Sequence, residues 1–344
     1  MQRRTLLKGI AAVSVLGSIG RSAQADMEGW REFELTYHVA LDDKDGPARL
    51  WVPVPQDAAD YQQVIDLTWR SAVPAHVLWE PVSRAPIVSV EWQDLSAPRQ
   101  LEITTRVKTR NRNGFYADAS YTELAECLRG SPSSPIDGIV LRTAQKIVGA
   151  RTEPLEKARA IYDWVVENSF RKGETRGCGL GNVAFMLESG DLGGKCADIS
   201  SLFVALARAA QLPARDFFGI RVAESKISNS LGKSGDITGA QHCRAEVFID
   251  RKGWIPVDPA DVRKVILEEH AAIDSDKIRG LREYLFGHWE MNWVGYNYAR
   301  DFQLPGQQYG PLGFFMYPYA ETKDGSKDSL DPATLAYSIS SVEI

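Results

Sequence analysis

Along residues 31–112 the apolar positions come in short runs or alternate with polar ones. The runs Phe33 to Val39, Ala48 to Val54, Ile87 to Trp92 and Leu101 to Val107 are separated by Asp, Gly, Pro and Asn. Apolar alternation with period two, punctuated by turn formers, predicts strands with one buried face. The spacing is that of an antiparallel sandwich, so a β-rich N-terminal domain is expected. It gathers no convergent set of catalytic residue types, which leaves it a positioning or recognition role.

A different period starts near Ile136. Ile139, Thr143 and Ile147, and then a segment from Glu153 through Ile161, Trp164 and Val165 to Phe170, predict two helices. Residues 171–195 hold seven glycines and read as a long connection, a form uncommon in a compact domain unless it lines a site. Helical spacing returns at Ile199, Leu202, Phe203, Leu206 and Ala210 and stops at Gln211-Leu212-Pro213, which predicts a centrally packed helix. Phe217 to Val222 is strand-like, Ser225 to Gly239 reads as a mobile polar loop, and two strand-like runs flank Asp250-Arg251-Lys252-Gly253. The two loops are candidate walls of a cleft.

The chemistry sits at the joints of this pattern. Cys196 follows Gly193, Gly194 and Lys195 and opens the central helix, where unpaired N–H groups and the helix dipole favour a thiolate. His242 and Asp258 lie downstream, in the order of cysteine hydrolases whose imidazole deprotonates the thiol and whose third residue fixes the ring. If the turn between their strands closes at residues 250–252, Asp258 lies opposite Arg244 on the face of His242, displaced by about 6.6 Å along the strand. A turn centred between residues 251 and 252 instead puts Asp258 opposite Ala245, on the other face, where a bulge is required. Both registers stay open. Asp261 is a competing carboxylate, Glu246 and Arg215 read as structural, and His38, His76, His270 and His288 lack comparable partners.

Three blocks carry a family likeness: Gly193-Gly-Lys-Cys196-Ala-Asp-Ile-Ser-Ser-Leu-Phe203, His242 with Glu246 four residues on, and Trp254-Ile-Pro-Val-Asp258-Pro259. Over residues 135–265 they resemble the bacterial transglutaminase-like superfamily. The resemblance implies an α+β fold with a papain-like transglutaminase core of helices packed on an antiparallel sheet, here preceded by the β-rich sandwich-like domain. It implies a triad of Cys196, His242 and Asp258. Arg244 stands where the family often has an aromatic residue, and the turn before Trp254 is one residue longer than usual. The division expected is a leader over 1–25, the β-rich domain over 26–115, the catalytic core over 116–265, and an aromatic-rich extension over 266–344 packing on that core.

Composition narrows the class. Residues 1–25 combine Arg3-Arg4, an uncharged stretch from Gly9 to Gly20, and Ala23-Gln24-Ala25, the pattern of a twin-arginine export signal too short to span a bilayer. A periplasmic or secreted protein without a stable membrane anchor is expected. Without the leader, basic residues fall from 40 to 36 against 45 acids, a sign that disfavours nucleic acid. No cofactor or metal is expected: Cys178, Cys243 and His242 lack the paired spacing of a zinc site, and no calcium-loop signature occurs. A Cys127–Cys178 disulfide is possible in an oxidising compartment. The function expected is a cysteine-dependent amide hydrolase, of protease, amidase or deamidase type, working through a thioester on a peptide or protein, cell-wall peptide included. Amine transfer and a non-catalytic binding module are the alternatives. Oligomeric state is not legible.

Overall fold

A computed structural model of the chain describes residues 29–42, 45–93, 96–114 and 119–344; the segment 1–25 read as an export signal lies outside them. Six long N-terminal strands form as the alternation requires: β1 (Trp30–Ala40), β2 (Ala48–Pro53), β3 (Gln62–Ser71), β4 (Ala75–Trp79), β5 (Pro86–Trp92) and β6 (Gln100–Arg110). In β1 the buried positions are Phe33, Leu35, Tyr37 and Val39, every second residue, and in β6 Leu101, Ile103 and Val107 answer them. These rows meet Leu50, Val52, Val88, Val90 and Trp92 of β2 and β5 in one apolar core, the interior of a two-sheet sandwich.

Seven helices follow among the described residues: α1 (Tyr121–Glu126), α2 (Gly138–Val148), α3 (Pro154–Asn168), α4 (Val183–Ser189), α5 (Cys196–Ala209), α6 (Pro259–Glu268) and α7 (Asp276–Tyr284). All 14 residues of α5 are buried. Leu202, Phe203 and Leu206 lose all exposure there, and burial of each such side chain contributes roughly 1.5–3 kcal/mol. The remaining long strands are β7 (Ala214–Arg221), β8 (Gln241–Ile249), β9 (Gly253–Val257), β10 (Trp293–Asn297), β11 (Tyr319–Thr322) and β12 (Ala336–Glu343). The order β9-β8-β7-β10 makes an antiparallel sheet against which α5 packs. Its Ile220, Val222, Val294 and Tyr296 enter the sandwich core, so the two units share one apolar boundary.

Three expectations change. The 171–195 connection contains α4 and a parallel bridge of Phe170–Arg171 with Gly193–Gly194, so it is built rather than open. The 225–239 loop is tied down as well: Ser225 and the Lys226 N–H bond Glu290, Ser228 and Ser230 bond Glu269, and Gly235–Asp236 pairs with Ser340 and Ser341 of β12. Its polar residues are spent on two carboxylates, the buried Glu290 and the partly exposed Glu269. The aromatic-rich 266–344 segment is shared out: β10 edges the sheet that packs on α5, whereas β11 pairs with β2 and β12 with β1, adding a strand to each sandwich sheet. Strand pairing across more than two hundred residues leaves no local trace in the sequence.

Candidate functional site

Cys196 is the first residue of α5. The first bond inside the helix runs from the Ile199 N–H to the Lys195 carbonyl, so the N–H groups ahead of it point out of the helix end. The Ala197 N–H is used by the Cys178 carbonyl; among the described residues no acceptor is recorded for that of Cys196. Asp198, one turn in, holds the entrance together. Its Oδ1 accepts from the N–H groups of Leu180 and Gly181 at 3.0 and 2.8 Å, and its Oδ2 from Lys195 at 3.0 Å. Burial pushes the Asp198 carboxyl up, and these three donors hold it back. A side chain on Gly179, whose φ is +92°, or on Gly194 would run into that carboxylate. The sequence reading passed over Asp198; its signal was an acid at the third helical position, the site of a capping box.

The β8–β9 hairpin resolves the register. Ile249 pairs with Gly253 and Ala245 with Val257, which continues to Arg244 opposite Asp258. The turn therefore closes at residues 250–252, with Arg251 at φ 61° in the left-handed region, and Asp258 shares a face with His242. His242 Nε2 lies 2.8 Å from Asp258 Oδ2 and 3.5 Å from Asp261 Oδ1, so Asp258 is the nearer partner. Asp258 also caps α6, its Oδ1 accepting from the Asp261 N–H at 3.0 Å, and this second bond fixes the carboxylate plane. Trp293 Nε1 donates to the His242 carbonyl at 2.9 Å.

Arg244 takes the place expected for an aromatic. It is buried, stacks against Trp289 and Trp293, reaches Asp258 Oδ2 with Nε at 3.5 Å, and donates to the Glu290 carbonyl. Arg221 bonds Asp261 at 2.5 Å and the Leu231 carbonyl at 2.6 Å. Glu246 is consumed in a buried network with Arg112 and Arg215, and Arg215 lies between Trp254 and Tyr298. These are structural roles. His288 stacks on Tyr284, and His38 lies 3.4 Å from Glu102 on the sandwich, away from the thiol.

The electrostatics follow from this packing. The Cys196 thiol is drawn well below an ordinary cysteine by hydrogen bonds from Cys178 and Cys243, with a further hydrogen bond and charge from His242; burial opposes them. The same contact with Cys196 and burial push Cys178 well up, and burial with that contact does so for Cys243. Burial and the neighbouring Arg221 lower His242, but the Asp261 and Asp258 carboxylates outweigh both and leave it raised. Burial and the charge of Asp261 raise Asp258.

All four cysteines are free. Cys178 stands against Cys196 with its Sγ 3.3 Å from the Gln241 carbonyl oxygen, and the Cys127–Cys178 disulfide does not form. Among the described residues, the ligand atoms of Cys178, Cys243 and His242 are not gathered into one metal-sized group. The grouping that forms is His242, Asp258 and Asp261, with ligand atoms within 4.8 Å of one another. Arg221 and Arg244 already lie on its two carboxylates, and a cation there would have to displace or oppose fixed guanidinium charge.

Cys196 and His242 open into a cleft of about 300 Å³ walled by Cys178, Gln241, Tyr317 and Tyr337. A larger hollow of about 770 Å³ lies on the sandwich beside His38, Arg70 and Glu102. Its lining has no cysteine; Cys196 and His242 line the smaller cleft. No helix among the described residues is long and apolar enough to cross a membrane.

Residues 141–259 match the family model described as Transglutaminase-like superfamily. An uncharacterised protein of Haemophilus influenzae is 37% identical over 96% of this chain and 98% of its own length. The crystal structure of a candidate cysteine protease from Cytophaga hutchinsonii superposes with a TM-score of 0.54 at 17% identity, covering 91% of this chain and 98% of that one. The periplasmic domain of TgpA from Pseudomonas aeruginosa gives a TM-score of 0.39 at 15% identity, covering 76% of this chain and all of that domain.

Proposed function

From its membership of the transglutaminase-like superfamily, we propose that this chain is an exported cysteine-dependent amide hydrolase in which Cys196 is the nucleophile, His242 the base and Asp258 the orienting carboxylate. The observation that carries the reading is the 2.8 Å contact of His242 Nε2 with Asp258 Oδ2, which leaves Nδ1 for Cys196, whose thiol lies near enough for the imidazole to help draw it down. His242 takes the thiol proton and the thiolate adds to the carbonyl carbon of an amide. The Cys196 N–H receives the developing oxyanion. The C–N bond breaks as the imidazolium returns its proton to the departing amine, and a thioester remains. Water, deprotonated by His242, releases the acid and regenerates the thiol; a primary amine in place of water gives transfer. Asp258 stabilises the imidazolium throughout. The substrate class is a peptide or protein amide, and the Arg3-Arg4 leader pattern supports export.

The test is the pH dependence of iodoacetamide labelling at Cys196, located by peptide mapping, in wild type and His242→Ala. Fast labelling well below the free-thiol value of about 8.5 is expected in wild type, slowed roughly ten- to a hundredfold at pH 6 by His242→Ala. A wild-type rate equal to that of an ordinary thiol and indifferent to His242 would leave a binding module that keeps the fold.

A further inference from the structure

The cleft at Cys196 is positively charged in a chain whose net charge is −5. Five cations line it, Arg171, Lys195, Arg221, Lys233 and Lys264, and no Asp or Glu does. Two carboxylates behind the wall answer three of the five. Asp261 holds Arg221 at 2.5 Å, and Glu268 is shared by Arg171 at 3.4 Å and Lys264 at 3.7 Å. The sharing is unequal to the charge: burial lowers Lys264, and Arg221 and Arg171 lower it further, the mark of cations crowded together.

Lys195 and Lys233 are left over. Lys195 immediately precedes the nucleophile, is partly exposed, and makes no ion pair among the described residues. Lys233 is exposed and lines the same cleft, carried by the 225–239 loop; Asp236 is near enough to feel its charge without pairing with it. Two ammonium groups without an ion pair among the described residues therefore line the same concave cleft as the thiol, where a summed field of one sign concentrates ligands of the other. Unpaired cations in such a place are matched by an anionic ligand group.

Resting on the hydrolase reading, we propose that the acyl donor is an anionic peptide, with a carboxylate beside the reacting carbonyl held by Lys195 and Lys233. A peptide carboxylate has two sources, an acidic side chain or a free C-terminus, and both present the same group to these lysines.

The experiment compares iodoacetate with iodoacetamide, reagents of similar size that differ in charge, as alkylators of Cys196 in the full chain, normalised to the same pair of rates on glutathione. The expected preference for iodoacetate is about tenfold, the scale of one partly desolvated charge pair. It falls severalfold in Lys195→Gln and in Lys233→Gln, persists in Lys195→Arg, and declines with added salt. A second arm measures protection from iodoacetamide by acetyl-Ala-Glu-Ala-amide, by acetyl-Ala-Ala-Ala with a free carboxylate, and by neutral acetyl-Ala-Gln-Ala-amide. Protection by the first or the second beyond the neutral peptide supports the proposal and names the source. A reactive, His242-dependent Cys196 with no charge preference, or protection no better than by the neutral peptide, overturns this inference alone. A Cys196 no more reactive than glutathione brings down the hydrolase reading, and this one with it.

Discussion

Asp198 is the place where a single side chain should decide whether the nucleophile has a fixed seat. Its carboxylate accepts three backbone N–H groups, two on Oδ1 and one on Oδ2, and a hydrogen bond to a charged acceptor contributes about 1.5–3 kcal/mol. Asp198→Asn keeps an oxygen where Oδ1 serves Leu180 and Gly181 but turns an NH2 toward the Lys195 N–H. One bond is lost and two donors confront each other, at a cost of roughly 2–3 kcal/mol. Asp198→Ala loses all three and leaves a small gap; water reaches part of the 178–181 turn, so about 4–5 kcal/mol is expected rather than the full sum. Equilibrium urea unfolding by linear extrapolation measures both. Because the Cys178 carbonyl holds the Ala197 N–H, the same variants should slow Cys196 alkylation at pH 6 in the same rank order. An alanine variant within about 1 kcal/mol of wild type, or an asparagine variant no better than alanine, refutes the reasoning.

Further expectations concern the surroundings. Gly179→Ala, with its φ of +92° and its methyl directed into the Asp198 carboxylate, should destabilise by about 2–4 kcal/mol in the same unfolding assay, strain and lost hydrogen bonds together. Trp293→Phe removes the donor to the His242 carbonyl and should cost about 1–3 kcal/mol, with the pH profile of Cys196 labelling displaced because the His242 strand loosens. The raised His242 binds its proton more tightly folded than unfolded, so its contribution is complete below about pH 6.5 and is lost as pH rises through the folded value. Unfolding free energies from pH 5 to 9 in a Cys196→Ser background should show that loss, and His242→Gln in the same background should flatten it.

How much of this was written locally is seen by comparing particular residues. The strand alternation of Phe33, Leu35, Tyr37 and Val39 and the helical stripe of Leu202, Phe203 and Leu206 are short-range patterns and predicted their burial. The hairpin left only two registers, and the three-residue turn at residues 250–252 selected the one that faces Asp258 to His242. Cys178 was different: nothing near it in the chain indicates that it meets Cys196, because the 178–181 turn is folded inward by Asp198. Arg244 read as a departure from an aromatic position, yet the rings are supplied from Trp289 and Trp293, some fifty residues later in sequence. Lys195 and Lys233 are separated by α5, β7 and most of a loop, and the cleft brings their charges to one surface.

The pairing of β12 with β1 and with Gly235–Asp236, together with Tyr317 and Tyr337 in the cleft wall, sets an order for biosynthesis. The ribosome releases Cys196, His242 and Asp258 well before the residues that finish their enclosure. A chain cut before these residues thus carries Cys196, His242 and Asp258 while lacking one side of the cleft, because the final strand is what ties Gly235–Asp236 to β1 within one sheet. Tyr317 and Tyr337 thus reach the cleft of Cys196 from more than a hundred residues downstream, so the wall opposite the thiol depends on the pairing of β12.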